Sequence, residues 1–258
     1  MSLGICNLSI VPLRREPSDR AEMISQLLFG ETIVIEGVYK NWAKVRVTYD
    51  NYEGWIDRKQ YQEISEQVFS ELSLTRQCVT FDLVQLIENI SGNFMLPIVL
   101  GSTIPKPVNN IFYIDNEQYI YEGQYYLPEN ESFRKIVENA YMYLHTPYLW
   151  GGRSPFGIDC SGLTQMVYKL SGISLLRDAA QQATQGEPIS FLTEAKPGDL
   201  VFFDNEEGQI IHTGILLRNN KVIHASGKVR IDTIDHLGIF DEIERRYTHK
   251  LRLIKKII

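Results

Sequence analysis

The chain has 258 residues, 44% of them apolar, with 26 Lys and Arg against 32 Asp and Glu for a formal net charge of −6. That length holds one large domain or two to three small ones, and the apolar share supports a buried core rather than global disorder. No basic block supplies the concentrated positive surface that nucleic acid needs, and no run approaches the roughly 18 apolar residues of a spanning helix.

The three cysteines, at positions 6, 78 and 160, are an odd and sparse set, which is not a disulfide framework. At least one is a free thiol, either a small buried hydrophobe or a nucleophile. The start, Met1-Ser2-Leu3-Gly4-Ile5-Cys6, lacks a basic stretch followed by an apolar one. The expectation is that no export signal is present and that the cytoplasm is favoured. A leader removed beforehand would leave the same start and an envelope location.

Gly30-Glu31-Thr32-Ile33-Val34-Ile35-Glu36 is rich in β-branched residues and predicts a strand. Trp42-Ala43-Lys44-Val45-Arg46-Val47 alternates, with Ala43, Val45 and Val47 on one face. After the turn Asp50-Asn51, Tyr52-Glu53-Gly54-Trp55-Ile56 reads as a short strand with a glycine kink. Several short strands joined by turns predict a small barrel over residues 1–60.

Residues 61–125 read as a second small module. Phe69–Thr75 is ambiguous, and Phe81–Ile90 fits a helix turn or a strand. Leu96–Leu100 is a short apolar run, and 101–110, with its prolines and asparagines, is a loop. Ile111–Tyr121 predicts a hairpin about Asp115-Asn116.

Residues 126–258 have a different texture. Glu131–Leu144 predicts a helix with Phe133, Ile136, Val137, Ala140 and Leu144 on one stripe. A Gly/Pro-rich loop, 146–157, precedes a second helix over Cys160–Leu170 that ends at Gly172. A short third helix is expected at Ala179–Thr184. Strands follow at Leu200–Phe203, His212–Leu217, Val222–Ala225 and Leu251–Ile258. Helices followed by antiparallel strands give an α+β domain.

Asp159-Cys160-Ser161-Gly162 places a cysteine in the first turn of a helix with Asp159 as its cap. Unpaired N–H groups and the helix dipole there favour a thiolate and predict a lowered thiol pKa. Gly162 early in a helix costs up to about 1 kcal/mol against alanine and predicts a close approach by another group. A three-residue loop, Arg218-Asn219-Asn220, would set Leu217 against Lys221 and put His212 and His224 on one sheet face; a two-residue turn would separate them. On one face, His212 serves as base for Cys160, His224 orients it, and the Cys160 N–H contributes to an oxyanion hole. Two other readings stand beside this one. The cysteine and histidines are inert core residues, or the three with a carboxylate bind zinc, although no close-spaced ligand pair exists.

Tyr148-Leu149-Trp150-Gly151-Gly152, Gly157-Ile158-Asp159-Cys160-Ser161-Gly162, Pro197-Gly198-Asp199-Leu200-Val201-Phe202-Phe203, His212-Thr213-Gly214-Ile215 and Val222-Ile223-His224-Ala225 together resemble the NlpC/P60 family of cell-wall peptidases. The resemblance implies a papain-like catalytic domain with a Cys160, His212 and His224 triad, no metal and no cofactor. Phe29-Gly30-Glu31, Trp42-Ala43-Lys44-Val45 and Gly54-Trp55-Ile56 resemble bacterial SH3-like domains, and 61–125 is taken as a second one by length and analogy. The layout resembles γ-D-glutamyl-L-diamino acid endopeptidases, which implies a murein tripeptide or tetrapeptide substrate with a free N-terminal L-Ala, in cell-wall peptide recycling. By that resemblance Glu22, Tyr52, Tyr148, Asp159 and Ser161 line the substrate amine pocket. Oligomeric state and the diamino acid, diaminopimelate or Lys, stay open. A peptidoglycan-binding module with an inactive catalytic domain, and acyl transfer on a lipid or small amide, are the alternative readings.

Overall fold

Ala43, Val45 and Val47 are fully buried while Trp42, Lys44 and Arg46 keep partial exposure, so the alternation in this segment becomes a half-buried strand. The structure is a computed structural model that describes residues 2–74, 77–128 and 133–257. Expectations for Met1, Thr75, Glu131, Ser132 and Ile258, and for the Phe133 side chain, fall outside the described residues. The chain divides into two units, Met1–Pro128 and Glu129–Ile258.

In the first unit, seven antiparallel strands run in the order Met23–Leu28, Ile10–Arg14, Glu53–Asp57, Trp42–Val47, Thr32–Tyr39, Ser2–Ile5 and Gln62–Ile64. Val11, Leu13, Leu27, Ile33, Val45 and Ile56 form its core. On the outer face, Lys44 meets Glu53 at 2.8 Å and Arg46 meets Glu36 at 3.1 Å, exposed pairs of small energetic weight.

The helix Glu66–Leu74 settles the ambiguous stretch that begins at Phe69. Val84–Asn89 is a strand, held between Phe94–Val99 and Glu117–Tyr121 in a four-stranded sheet completed by Ile111–Ile114. The expected hairpin closes with Ile114 opposite Glu117 and Asp115 at φ 54°. A three-stranded sheet of Thr103–Ile104, Cys78–Thr80 and Tyr125–Tyr126 lies beside it in sequence. Ile5, Phe29 and Ile64 join Cys78, Ile87, Ile98 and Phe112 in one hydrophobic cluster, so segments 1–60 and 61–125 share a core inside this unit.

In the second unit, helix Phe133–Tyr141 packs against helix Cys160–Leu170. The latter packs in turn on strands Ile210–Leu217 and Lys221–Ser226. The helix has the expected bounds, and Gly172 at φ 77° closes it, its N–H bonding the Lys169 carbonyl at 3.1 Å. The strand order is Glu187–Ile189, Arg246–Lys256, Leu200–Asp204, Ile210–Leu217, Lys221–Ser226, Lys228–Ile234, Gly238–Asp241. Gly238–Asp241 also pairs back onto Arg246–Lys256, so the sheet closes on itself. Three of these strands, Glu187–Ile189, Lys228–Ile234 and Gly238–Asp241, are not anticipated by the sequence reading, and the last long strand starts at Arg246 rather than Leu251.

Candidate active site

The site begins with how the helix start is held. Asp159 caps it: Oδ1 accepts from the Gly162 N–H at 2.6 Å and from Ser161 Oγ at 3.3 Å. Oδ2 accepts from the Gly151 N–H at 2.8 Å, tying the preceding loop to the helix. Arg177 grips the same carboxylate with both guanidinium arms, at 3.1 Å to Oδ1 and 2.7 Å to Oδ2, and also donates to Ser161 Oγ at 2.9 Å. Arg177 is 1% exposed. Gly162 answers the expectation of a close approach: a Cβ there would lie 2.2 Å from the Gly152 carbonyl oxygen.

Cys160 therefore sits in the first turn, 6% exposed. The amides of Thr213 and Ser161 and the Arg177 charge favour its thiolate, yet burial dominates and Asp159 adds to it, pushing the thiol up to about 12. This corrects the expectation of a lowered pKa. The helix N-terminus acts in the expected direction, but a buried anion loses more hydration than two amides return. His212 is pushed the other way, well below the ordinary imidazole range, by burial and by the neighbouring His224 and His249. The resting pair is thus a neutral thiol and a neutral imidazole. Alkylation of Cys160 by iodoacetamide, followed by peptide mapping, is expected to accelerate steadily from pH 7 to 10. A plateau below pH 8 would contradict the protonated resting thiol.

The loop between the histidine strands has three residues: Leu217 pairs with Lys221 and Gly214 with His224. His212 and His224 consequently share a face, and His212 Nε2 lies 2.9 Å from His224 Nδ1. Thr213, the residue after His212, is the one whose backbone N–H acts on the Cys160 sulfur. Among the described residues no hydrogen bond joins the thiol to the His212 ring. With Nε2 committed to His224, Nδ1 is the nitrogen left for the thiol.

Two residues the sequence reading missed complete the arrangement. Asp232 on Lys228–Ile234 accepts from His224 Nε2 at 2.8 Å and is itself held by Arg230, 2.7 Å from its Nε. His249 stacks on His212 with ring centroids 4.2 Å apart and planes 27° apart. Ring nitrogens of His212, His224 and His249 lie within 4.8 Å of one another, a donor set of the type zinc takes. Tetrahedral zinc wants nitrogens about 3.4 Å apart with converging lone pairs. In this structure the nitrogens are engaged within the protein: His212 Nε2 with His224 Nδ1, His224 Nε2 with Asp232, and His249 Nδ1 with Thr248 Oγ1.

Burial first, and then the neighbouring Cys160 and Asp159, raise the Tyr148 phenol above its ordinary range. Asp159 and Ser161 sit where the motif puts them, but their polar side-chain atoms are already paired within the protein. Those bonds hold the helix start. Glu22 and Tyr52 belong to the first unit. Glu22 precedes Met23–Leu28 and pairs with Arg15 at 2.5 Å. Tyr52 follows the turn at Asn51, its N–H bonding Asp50 Oδ1 at 3.0 Å, and packs partly against that unit's core.

Residues 145–247 match the NlpC/P60 family and residues 13–60 match the bacterial dipeptidyl-peptidase SH3 domain. A dipeptidyl-peptidase 6 from Lysinibacillus sphaericus is 28% identical over 86% of this chain and 88% of its own length. A γ-D-glutamyl-L-lysine dipeptidyl-peptidase from Bacillus subtilis (strain 168) is 27% identical over 86% of this chain and 75% of its own. An NlpC/P60 family protein from Bacillus cereus ATCC 10987 shares the fold over 99% of both chains, with a TM-score of 0.82 at 19% identity. With both matches in chain order on this fold, the chain carries an NlpC/P60 cysteine peptidase domain over residues 145–247, preceded by a bacterial dipeptidyl-peptidase SH3 domain over residues 13–60.

Proposed function

We propose that this peptidase cleaves the bond between γ-D-Glu and an L-diamino acid in murein peptides that carry a free N-terminal L-Ala, releasing the dipeptide, in cell-wall peptide recycling. The observation that carries the reading is the His212 Nε2 to His224 Nδ1 pair at 2.9 Å, on a strand whose next amide acts on the Cys160 sulfur. The names of the similar dipeptidyl-peptidases support the bond and the direction of cleavage. The reading assigns residues 1–60 and 61–125 as two SH3-like modules ahead of a catalytic domain at 126–258.

In this scheme the substrate's arrival triggers chemistry. His212 takes the Cys160 proton as sulfur attacks the γ-carbonyl carbon of D-Glu. The developing oxyanion is met by the Cys160 N–H, one of the helix's unpaired first-turn donors. The imidazolium then protonates the departing amine of the diamino acid. Water, deprotonated by His212, hydrolyses the remaining thioester and restores the thiol.

The substrate ammonium loses hydration in a closed site and needs a charged partner. The family resemblance assigns that role to Glu22, with Tyr52 and Tyr148 as hydroxyl-bearing residues. By the same resemblance Asp159 supplies a second carboxylate and Ser161 a hydroxyl. Acetylating the N-terminus of L-Ala-γ-D-Glu-L-Lys is expected to lower kcat/KM by about 100-fold, the scale of one desolvated charge contact. Equal kcat/KM for the free and acetylated peptides would remove the amine pocket while leaving the peptidase assignment intact.

A further inference from the structure

The geometry points to Asp232 as a positioning residue that sets the direction of proton flow at the catalytic pair, acting through His224 on His212. The inference rests on the assignment of Cys160, His212 and His224 to catalysis. It starts from what each atom is able to do. An ionised carboxylate only accepts hydrogen bonds. Asp232 Oδ2 lies 2.8 Å from His224 Nε2, so that nitrogen carries the hydrogen. A neutral imidazole with a hydrogen on Nε2 has a bare Nδ1. His224 Nδ1 lies 2.9 Å from His212 Nε2 and therefore accepts from it. His212 then has its hydrogen on Nε2 and its lone pair on Nδ1, the nitrogen free to take the thiol proton. One carboxylate thus fixes two tautomers in series.

The sheet builds this alignment. His224 pairs with Arg230 across Lys221–Ser226 and Lys228–Ile234, and Val222 pairs with Asp232. Asp232 is two residues from Arg230 and so shares a sheet face with His224. Arg230 holds the carboxylate at both oxygens, at 2.8 Å to Oδ1 and 2.7 Å to Oδ2, and reaches Asp241 at 3.0 Å. Burial raises the Asp232 pKa, but hydrogen bonds from His224 and Arg230 outweigh it and keep the acid below its ordinary range. The other charged groups acting there are Glu242 and His249. His249, pushed down to about 4 by burial first, stays neutral at working pH and adds no charge beside His212.

The proton balance is closed. When His212 Nδ1 receives the Cys160 proton, the ring becomes an imidazolium whose Nε2–H still points at a bare nitrogen. The Asp232 charge stabilises it through the intervening His224 ring. An asparagine at 232 loses the charge, and its amide presents either N–H or C=O to His224, so the tautomer is no longer enforced.

The test uses full-length Asp232→Asn and Asp232→Glu beside Cys160→Ala. Peptide hydrolysis is measured from pH 5 to 9, and histidine tautomers are read by nitrogen-15 NMR in the Cys160→Ala background. The expected results are a 10- to 100-fold loss of kcat for Asp232→Asn with KM changed less than threefold, partial recovery in Asp232→Glu, and a shifted acid limb. The NMR is expected to show Nε2–H on both His212 and His224 with Asp232 present, and a mixture in Asp232→Asn. Wild-type kcat in Asp232→Asn, or unchanged tautomers in a folded variant, overturns the role of Asp232. An active Cys160→Ala protein would instead overturn the assignment beneath it. If Asp232→Asn fails to fold, the decision falls to the tautomers of the Cys160→Ala protein itself: hydrogen on His224 Nδ1 overturns the proposal.

Discussion

Cys160→Ala is expected to lower peptide hydrolysis by at least ~10⁴-fold, the scale seen when a covalent nucleophile is removed from an otherwise intact site. The fold is expected to survive, because the helix start does not depend on the sulfur. Asp159 bonds the Gly162 and Gly151 amides, and Arg177 bonds Asp159. Alanine suits the first turn of a helix, and the lost volume is one buried sulfur, a cost of about 1 kcal/mol. Thermal unfolding within a few degrees of wild type, together with absent turnover, is the predicted pair of results. A large drop in melting temperature would mean that the thiol is a structural element.

Arg177→Met is expected to produce the largest stability change among single substitutions at this site. Its guanidinium and the Asp159 carboxylate are 1% and 7% exposed, and they meet at 2.7 Å. Removing one partner of such a pair leaves a charge without water or counter-ion, at about 3–5 kcal/mol. For a unit of this size that corresponds to a melting temperature lower by roughly 10 °C. The amides of Gly151 and Gly162 still bond Asp159 and soften the loss. Adding Asp159→Asn to Arg177→Met removes the stranded charge but keeps a capping oxygen. The double variant is therefore expected to be more stable than Arg177→Met alone, a sign of coupling that denaturant unfolding of the four proteins in the cycle measures. Equal stability of wild type and Arg177→Met would mean that the pair contributes nothing to the fold. Activity is expected to fall with stability, because the same carboxylate fixes the turn that presents Cys160.

The sequence makes the catalytic pair legible because its geometry is local. A three-residue loop at Arg218-Asn219-Asn220 puts His212 and His224 on one face, and the pairing of Leu217 with Lys221 realises it. Helix Cys160–Leu170 is equally readable, because a capping aspartate, an apolar stripe and a terminal glycine agree. The stretch Phe81–Ile90 is not decided by its pattern, since its apolar residues suit either period. Pairing on both sides, with Phe94–Val99 and Glu117–Tyr121, makes it a strand.

Asp232 and His249 escape notice for a related reason. Lys228–Ile234 interrupts its apolar positions with Arg230 and Asp232, polar residues that face a buried histidine rather than solvent. His249 lies on the part of Arg246–Lys256 that has little apolar character, ahead of the obvious run at Leu251. Arg177 sits in a loop 18 positions from its partner, where periodicity carries no information. The thiol pKa is the instructive miss. A helix N-terminus lowers it, and burial raises it more, but only the second depends on tertiary packing.

The central claim is that Cys160 becomes acylated during turnover. Rapid acid quench of the enzyme with L-Ala-γ-D-Glu-L-Lys, followed by peptide mass mapping, observes this step directly. The account predicts a transient L-Ala-γ-D-Glu adduct, one water lighter than the free dipeptide, on the peptide containing Cys160. Turnover with that peptide unmodified at every quench time, or with the adduct on another side chain, would contradict it.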